Sequence, residues 1–207
     1  MEIKTEQSME ELILETAERL FLEKGFAATS TTQIAREVGC NQALVHYYFR
    51  TKENLFNTIF EEKFKKFFQI VFDLQDLQQI SFEEKLRHII LAHFDMLRSN
   101  NKLSMLIVTE FNRRPEIIKG LGTKFSIVPN VFIKHFNEEL QAEIDAGRIR
   151  NISILDILIT MVSLNVSLFL ILPITAEILQ ISEEQRELIV LQRRDENVNI
   201  VLKSLKP

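Results

Sequence analysis

The chain has 207 residues, 46% of them apolar and 26% charged, which is the balance of a folded protein with a real core. Five Gly and four Pro argue against a turn-rich all-β fold and against linker-like sequence. One Cys excludes an internal disulfide, and four scattered His give no structural zinc set, so no metal or other cofactor is expected. The net charge of −4 argues against indiscriminate adhesion to polyanions.

Helical periodicity dominates from the first residues onward. The N-terminal stretch is acidic and lacks the basic-then-apolar order of a secretion signal. With the single Cys, this points to a cytoplasmic protein. Ser8-x-x-Glu11 is a capping box, and Ile13, Ala17, Leu20 and Phe21 line one face of the helix that follows. Gly25 is placed to end it. Ser30-x-x-Gln33 offers a second box before a short helix carrying Ile34, Ala35 and Val38, which Gly39 closes. Asn41 caps a third helix through Tyr48, and Phe49-Arg50-Thr51 breaks the pattern. A long helix then runs from about Lys52 to Phe72.

The remainder predicts further helices. They cover about 82–98, 103–112, 125 or 129 to 146, 152–172 and 183–205. No strand alternation is sustained. The expected fold is all-α, with about nine helices on short connections.

The two short helices around Gly39 form a helix-turn-helix. Neither is long enough to be stable alone, and the apolar face of the first helix can back them. In such a unit the second helix enters the major groove and presents its N-terminal residues to base edges. Gln42 can pair with an adenine edge, and Ala43 can approach a thymine methyl. His46, Tyr47 and Tyr48 form a polar aromatic cluster suited to phosphates and bases. Thr31, Thr32 and Lys52 stand at helix N-termini, where free N–H groups favour a phosphate. Asn41 belongs to the same surface. Val45 and Phe49 are assigned to the core. Between Lys24 and Lys52, four basic residues face Glu37 alone, a basic island in an acidic chain.

The stretch GFAATSTTQIAREVGCNQALVHYYFRTKENLF, Gly25 to Phe56, resembles the DNA-binding domain of the TetR family of bacterial transcriptional regulators. The resemblance rests on Gly25-Phe26, Thr29 to Thr32, Ile34-Ala35, Gly39, Tyr47-Tyr48 and Phe49-x-x-Lys52-Glu53. It implies a DNA-binding domain over 1–52 and an effector-binding and dimerisation domain over 53–207. It favours Tyr47 as a DNA contact and a homodimer formed through the last two helices. It implies a regulator, most simply a repressor, bound to palindromic double-stranded DNA and released by a small molecule. The family commonly has Lys at Gln42, Gly at Ala43 and Tyr at His46, so these departures bear on which operator is read.

Two features of the second part are independent of the resemblance. Residues 152–172 are apolar nearly all round, so that helix must be covered on every side, as a dimer would do. Residues 157–175 also carry no charge over a length close to a membrane span. A membrane-attached helical protein is therefore the rival reading, and the embedded Asn165, Thr160 and Ser163 speak against it. Polar residues on apolar faces are the candidates for an effector site. His93, Glu110 and Asn165 stand out, with Phe132 and Phe136 as an aromatic wall, and they suit a hydrophobic or amphipathic ligand. Each of the three polar groups could equally be a satisfied core residue. No nucleophile–base pair or phosphate-binding glycine loop suggests an enzyme, though catalytic groups can converge from afar.

Overall fold

The structure is a computed structural model. It describes residues 8–72, 80–99, 102–113 and 130–207, the side chains of 64–72, 103, 107, 111, 112 and 130–132 apart. Among the described residues there are nine helices and no strand. They are α1 (Met9–Ala28), α2 (Thr31–Val38), α3 (Gln42–Phe49), α4 (Lys52–Phe72), α5 (Phe82–Arg98), α6 (Leu103–Arg113), α7 (Asn130–Asp145), α8 (Ile154–Ile178) and α9 (Glu183–Ser204). The all-α expectation is met. The expected helix start at Phe125 or Pro129 lies outside the described residues.

Local chemistry sets the first boundaries. At α1 the capping box is complete: Glu11 N–H donates to Ser8 Oγ, and Ser8 N–H donates to Glu11 Oε2. Gly25 interrupts α1 with φ 80° and ψ 163°, a backbone that a Cβ would strain. Thr29 is buried, and its hydroxyl proton is shared between the carbonyls of Gly25 (2.9 Å) and Leu20 (3.2 Å). Orphan acceptors at the end of α1 are thereby satisfied. At α2 only half of the expected box forms. Gln33 N–H donates to Ser30 Oγ, but the Gln33 amide turns to Glu37 instead. Gly39 closes α2 in the left-handed conformation, with φ 82° and ψ 25°. Asn41 caps α3, accepting from Leu44 N–H at 2.8 Å.

The chain divides into two compact units, Met1–Lys65 with Leu106–Thr123, and Lys66–Met105 with Lys124–Pro207. In the first, Ile13, Ala17, Leu20 and Phe21 of α1 meet Ile34 and Ala35 of α2, Val45 and Phe49 of α3, and Leu55 and Phe56 of α4 in the buried interior. Phe21, Phe26 and Phe56 form an aromatic triangle with ring centroids 5.0 to 5.4 Å apart. Short α2 and α3 are thus held by tertiary packing, which their length requires.

The core of the second unit draws Phe82, Leu86 and Ile90 from α5, Phe136 and Leu140 from α7, Ile157 and Met161 from α8, and Val198 and Val201 from α9. Helix α8 continues six residues beyond the expected end at Leu172, passing through Pro173. Proline removes one backbone donor there. The Thr175 hydroxyl proton is shared between the carbonyls of Ile171 and Leu172, both at 3.1 Å. Helices α5 and α9 are joined by the Asp95 carboxylate, which accepts from Arg194 Nε at 2.7 Å and from Nη2 at 2.6 Å.

Candidate nucleic-acid interface

Helix α3 has two unlike faces. Val45 and Phe49 are buried, as the sequence reading assigned them. Gln42, Ala43, His46, Tyr47 and Tyr48 are exposed. Tyr47 is 69% exposed, far too open for a core residue. Its ring meets Tyr48 edge to face at 5.3 Å, so the two aromatics brace one another at the surface. A large exposed aromatic pair on a helix anchored from behind is available for a partner.

The polar residues of α3 are ordered by one another. Thr32 Oγ1 donates to Gln42 Oε1 at 3.0 Å. Gln42 Nε2 donates to Thr31 Oγ1 at 3.0 Å and lies 3.2 Å from His46 Nε2. His46 Nδ1 lies 2.9 Å from the carbonyl of Arg50. A carbonyl only accepts, so the His46 proton sits on Nδ1 and Nε2 accepts from Gln42. Arg50 adopts a positive φ of 64°, unusual for a non-glycine residue, as the chain turns from α3 into α4. This coupling was missed in the sequence, although the i, i+4 spacing of Gln42 and His46 was a visible signal.

Lys52 has a task the sequence did not reveal. Its Nζ donates to the carbonyls of Thr29 (2.8 Å) and Phe26 (2.9 Å) and stands 4.1 Å above the Phe26 ring. The ammonium group thereby ties the start of α4 to the α1–α2 junction. The cap of α4 is Thr51, whose Oγ1 accepts from Asn54 N–H at 3.0 Å.

Of the described residues expected at an effector, Glu110 lies in the first unit and His93, Phe136 and Asn165 in the second. His93, Asn165 and Asn197 form a buried chain across α5, α8 and α9. Asn165 Nδ2 donates to the Ile90 carbonyl and to His93 Nδ1, each at 3.1 Å, and Asn197 Nδ2 donates to Asn165 Oδ1 at 3.0 Å. Burial pushes the His93 imidazole down to about 4, so it is neutral at ordinary pH. Phe136 packs on Phe82 at 4.8 Å within the core. Glu110 is buried but belongs to the first unit. The side chain of Phe132 lies outside the described residues.

A cavity of about 460 Å³ opens elsewhere in the second unit. Apolar Phe169, Leu172 and Pro173 line it, with Arg98, Lys102 and Arg186 among its charged groups. Arg98 pairs with Glu187, and Arg186 with Glu183 at 3.4 Å. Its size suits a small-molecule site. With Met105 of α6 the lining draws on α5, α6, α8 and α9, so no single stretch of sequence announces it.

Helix α8 is long and apolar enough to cross a bilayer, and only 22% of its most apolar stretch is covered within the protomer. Its buried stripe of Ile157, Met161, Asn165 and Phe169 faces the other helices of its own unit. Leu155, Ile159, Val162 and Ile174 of this helix are exposed, as are Leu188 and Leu191 of α9. Asn165 bonded to both α5 and α9 marks a bundle helix rather than an isolated span.

Residues 13–59 match the family model described as bacterial regulatory proteins, tetR family. The chain is 24% identical over 139 residues to the fatty acid metabolism regulator protein of Bacillus subtilis, an alignment covering 67% of this chain and 69% of that protein. The fold is similar to that of a tetR-family regulatory protein from Rhodococcus RHA1, with a TM-score of 0.71, 18% identity and coverage of 97% and 98% of the two chains. It is also similar to the regulator FadR from Bacillus subtilis in complex with stearoyl-CoA, with a TM-score of 0.62, 18% identity and coverage of 94% and 98%. The matched segment spans the helix-turn-helix and the face just described, and over these residues the chain is similar to the bacterial regulatory proteins of the tetR family.

Proposed function

We propose that this chain is a cytoplasmic, homodimeric transcriptional regulator that binds a palindromic operator, represses from it, and is released by an amphipathic effector. The observation that carries this reading is the two-faced α3, with Val45 and Phe49 locked in the core and Gln42, Ala43, His46 and Tyr47 presented to solvent. The DNA contact set is Thr31, Thr32, Asn41, Gln42, Ala43, His46, Tyr47 and Tyr48, with the N-terminus of α4 at Lys52 toward a phosphate. Residues 1–52 form the reading head, and 53–207 bind effector and partner. The exposed apolar residues of α8 and α9 support pairing of two copies, which would cover them. The fold and family support a binder rather than an enzyme.

The cavity supports an effector with an apolar body and an anionic end. Phe169, Leu172 and Pro173 would take the body, and Lys102 with Arg98 and Arg186 the anion. A long-chain acyl-CoA fits that description, and a structural relative is described in complex with stearoyl-CoA. Release follows if the ligand binds more tightly to a form whose two heads no longer match the operator.

Selection from a random duplex library tests this reading. It predicts an enriched palindrome, with half-sites about one helical turn or a multiple apart. Binding should weaken steeply as salt rises. A long-chain acyl-CoA should then lower affinity for that duplex. A folded protein that enriches no sequence would overturn the regulator reading, and an operator indifferent to acyl-CoA would overturn the effector class alone.

A further inference from the structure

We infer that Gln42 meets its base pair as an acceptor only, because Thr31, Thr32 and His46 hold its amide, and that His46 is the positioning residue that keeps it so. The inference rests on the DNA-reading assignment above and concerns what that face can discriminate.

The argument is a count of donors and acceptors. A glutamine amide has two N–H donors and two carbonyl lone pairs. One Gln42 N–H points at Thr31 Oγ1 (3.0 Å) and the other at His46 Nε2 (3.2 Å). One lone pair of Oε1 accepts from Thr32 Oγ1 (3.0 Å). A single lone pair on Oε1 is left. The reverse amide would set its carbonyl oxygen against the unprotonated His46 Nε2, so the orientation is unique. His46 is in turn held by the Arg50 carbonyl through Nδ1–H at 2.9 Å. All of this lies on the solvent side of α3, with Thr32, Gln42 and His46 exposed.

The consequence is a change of code. A free glutamine pairs with adenine through two bonds, giving an N–H to N7 and accepting from the N6 amine. The held Gln42 has no N–H to give. It accepts from a major-groove amine, and both adenine N6 and cytosine N4 supply one. The wild-type face therefore accepts adenine or cytosine where a free glutamine would demand adenine. Gln42 and His46 are two of the positions at which this chain departs from the common family residues, and here they act as one unit.

Random-duplex selection with four variants tests this. Gln42→Ala locates the position, since preference there should vanish while the rest of the half-site persists. The wild type should take adenine and cytosine about equally at that position. His46→Ala and Thr31→Val each free one Gln42 N–H, and each should shift the preference to adenine by roughly tenfold, the size of a good bidentate pair. His46→Gln restores an acceptor four residues on and should return the wild-type preference, which a merely structural role for His46 would not require. A base preference unchanged in His46→Ala and Thr31→Val overturns the inference, as does a wild type that already prefers adenine tenfold. A Gln42→Ala protein with the full wild-type pattern also overturns it. A wild type that enriches nothing overturns the regulator reading itself.

Discussion

The molecule carries two small clusters built from the same chemistry, an amide beside an imidazole, and they differ above all in burial. In the head, Gln42 and His46 are exposed on α3. In the second unit, Asn165 and Asn197 have no exposed surface and His93 only 8%. The partners force opposite tautomers. His46 carries its proton on Nδ1 because a carbonyl faces that atom, whereas His93 Nδ1 accepts from Asn165, so its proton sits on Nε2. Burial also decides the consequence of breaking each cluster. Exposed donors and acceptors find water when a partner is lost, whereas buried ones find nothing. A polar cluster reached by solvent can serve as a reading surface, and the same cluster sealed between helices serves to fix their register.

Three perturbations would break or sharpen that contrast. Asn165→Ala has the largest expected effect. It leaves Asn197 Nδ2 and His93 Nδ1 without their Asn165 partner in the interior and opens a small cavity. Each stranded group costs about 1–3 kcal/mol, so a loss near 3 kcal/mol is expected in urea unfolding. A loss under about 0.5 kcal/mol, the level of a neutral surface change, would remove the cluster from the list of structural pins.

The pH dependence comes next. His93 titrates near 6.5 when unfolded and about 4 when folded. The unfolded chain therefore binds more protons between those values. The His93 contribution is fully present above 6.5, is lost as pH falls toward 4, and amounts to about 3 kcal/mol over that window. Carboxylates shifted the other way act lower. Glu37, held down by the hydrogen bond from Arg19, and Glu143, by that from Arg148, lose their contributions only below the ordinary carboxylate range. Unfolding free energies of wild type and His93→Leu, measured from pH 7 to 4, should therefore converge as the pH falls. Parallel curves would contradict the burial argument.

Lys52→Ala should have a smaller effect. Two charge-assisted bonds to carbonyls at a half-buried site are expected to cost about 1–2 kcal/mol when removed. Because the ammonium is already tied to the protein, the salt dependence of DNA binding should flatten by less than one phosphate contact. Unchanged stability with a slope lower by a full contact would place Lys52 on the DNA backbone instead.

What could be read from the sequence was what is local. The Ser8 capping box, the Gly39 turn and the Asn41 cap involve residues within five positions of each other, and all form. The Ser30 box failed by half because Gln33 had a competing acceptor one turn on, Glu37. Helix α8 passed Pro173 because tertiary packing holds both sides of it, with Phe169 and Ala176 buried. Polar His93 and Asn165 were conspicuous on apolar faces, but their partners lie 72 and 32 residues away, which the pattern on one helix cannot show. Lys52 finds its carbonyls 23 and 26 residues back. The cavity lining is the extreme case, since it is defined only once four helices have packed.

The most direct test of the account is the operator affinity of Tyr47→Ala, measured where its helical signal matches that of the wild type. At 69% exposure Tyr47 contributes little to the fold, so stability should change by no more than about 0.5 kcal/mol. Affinity for the selected operator should fall by about tenfold or more, the scale of a lost contact of 1.4 kcal/mol. An unchanged affinity, or one lost only in step with helicity, would contradict the assignment of α3 as the surface that reads DNA.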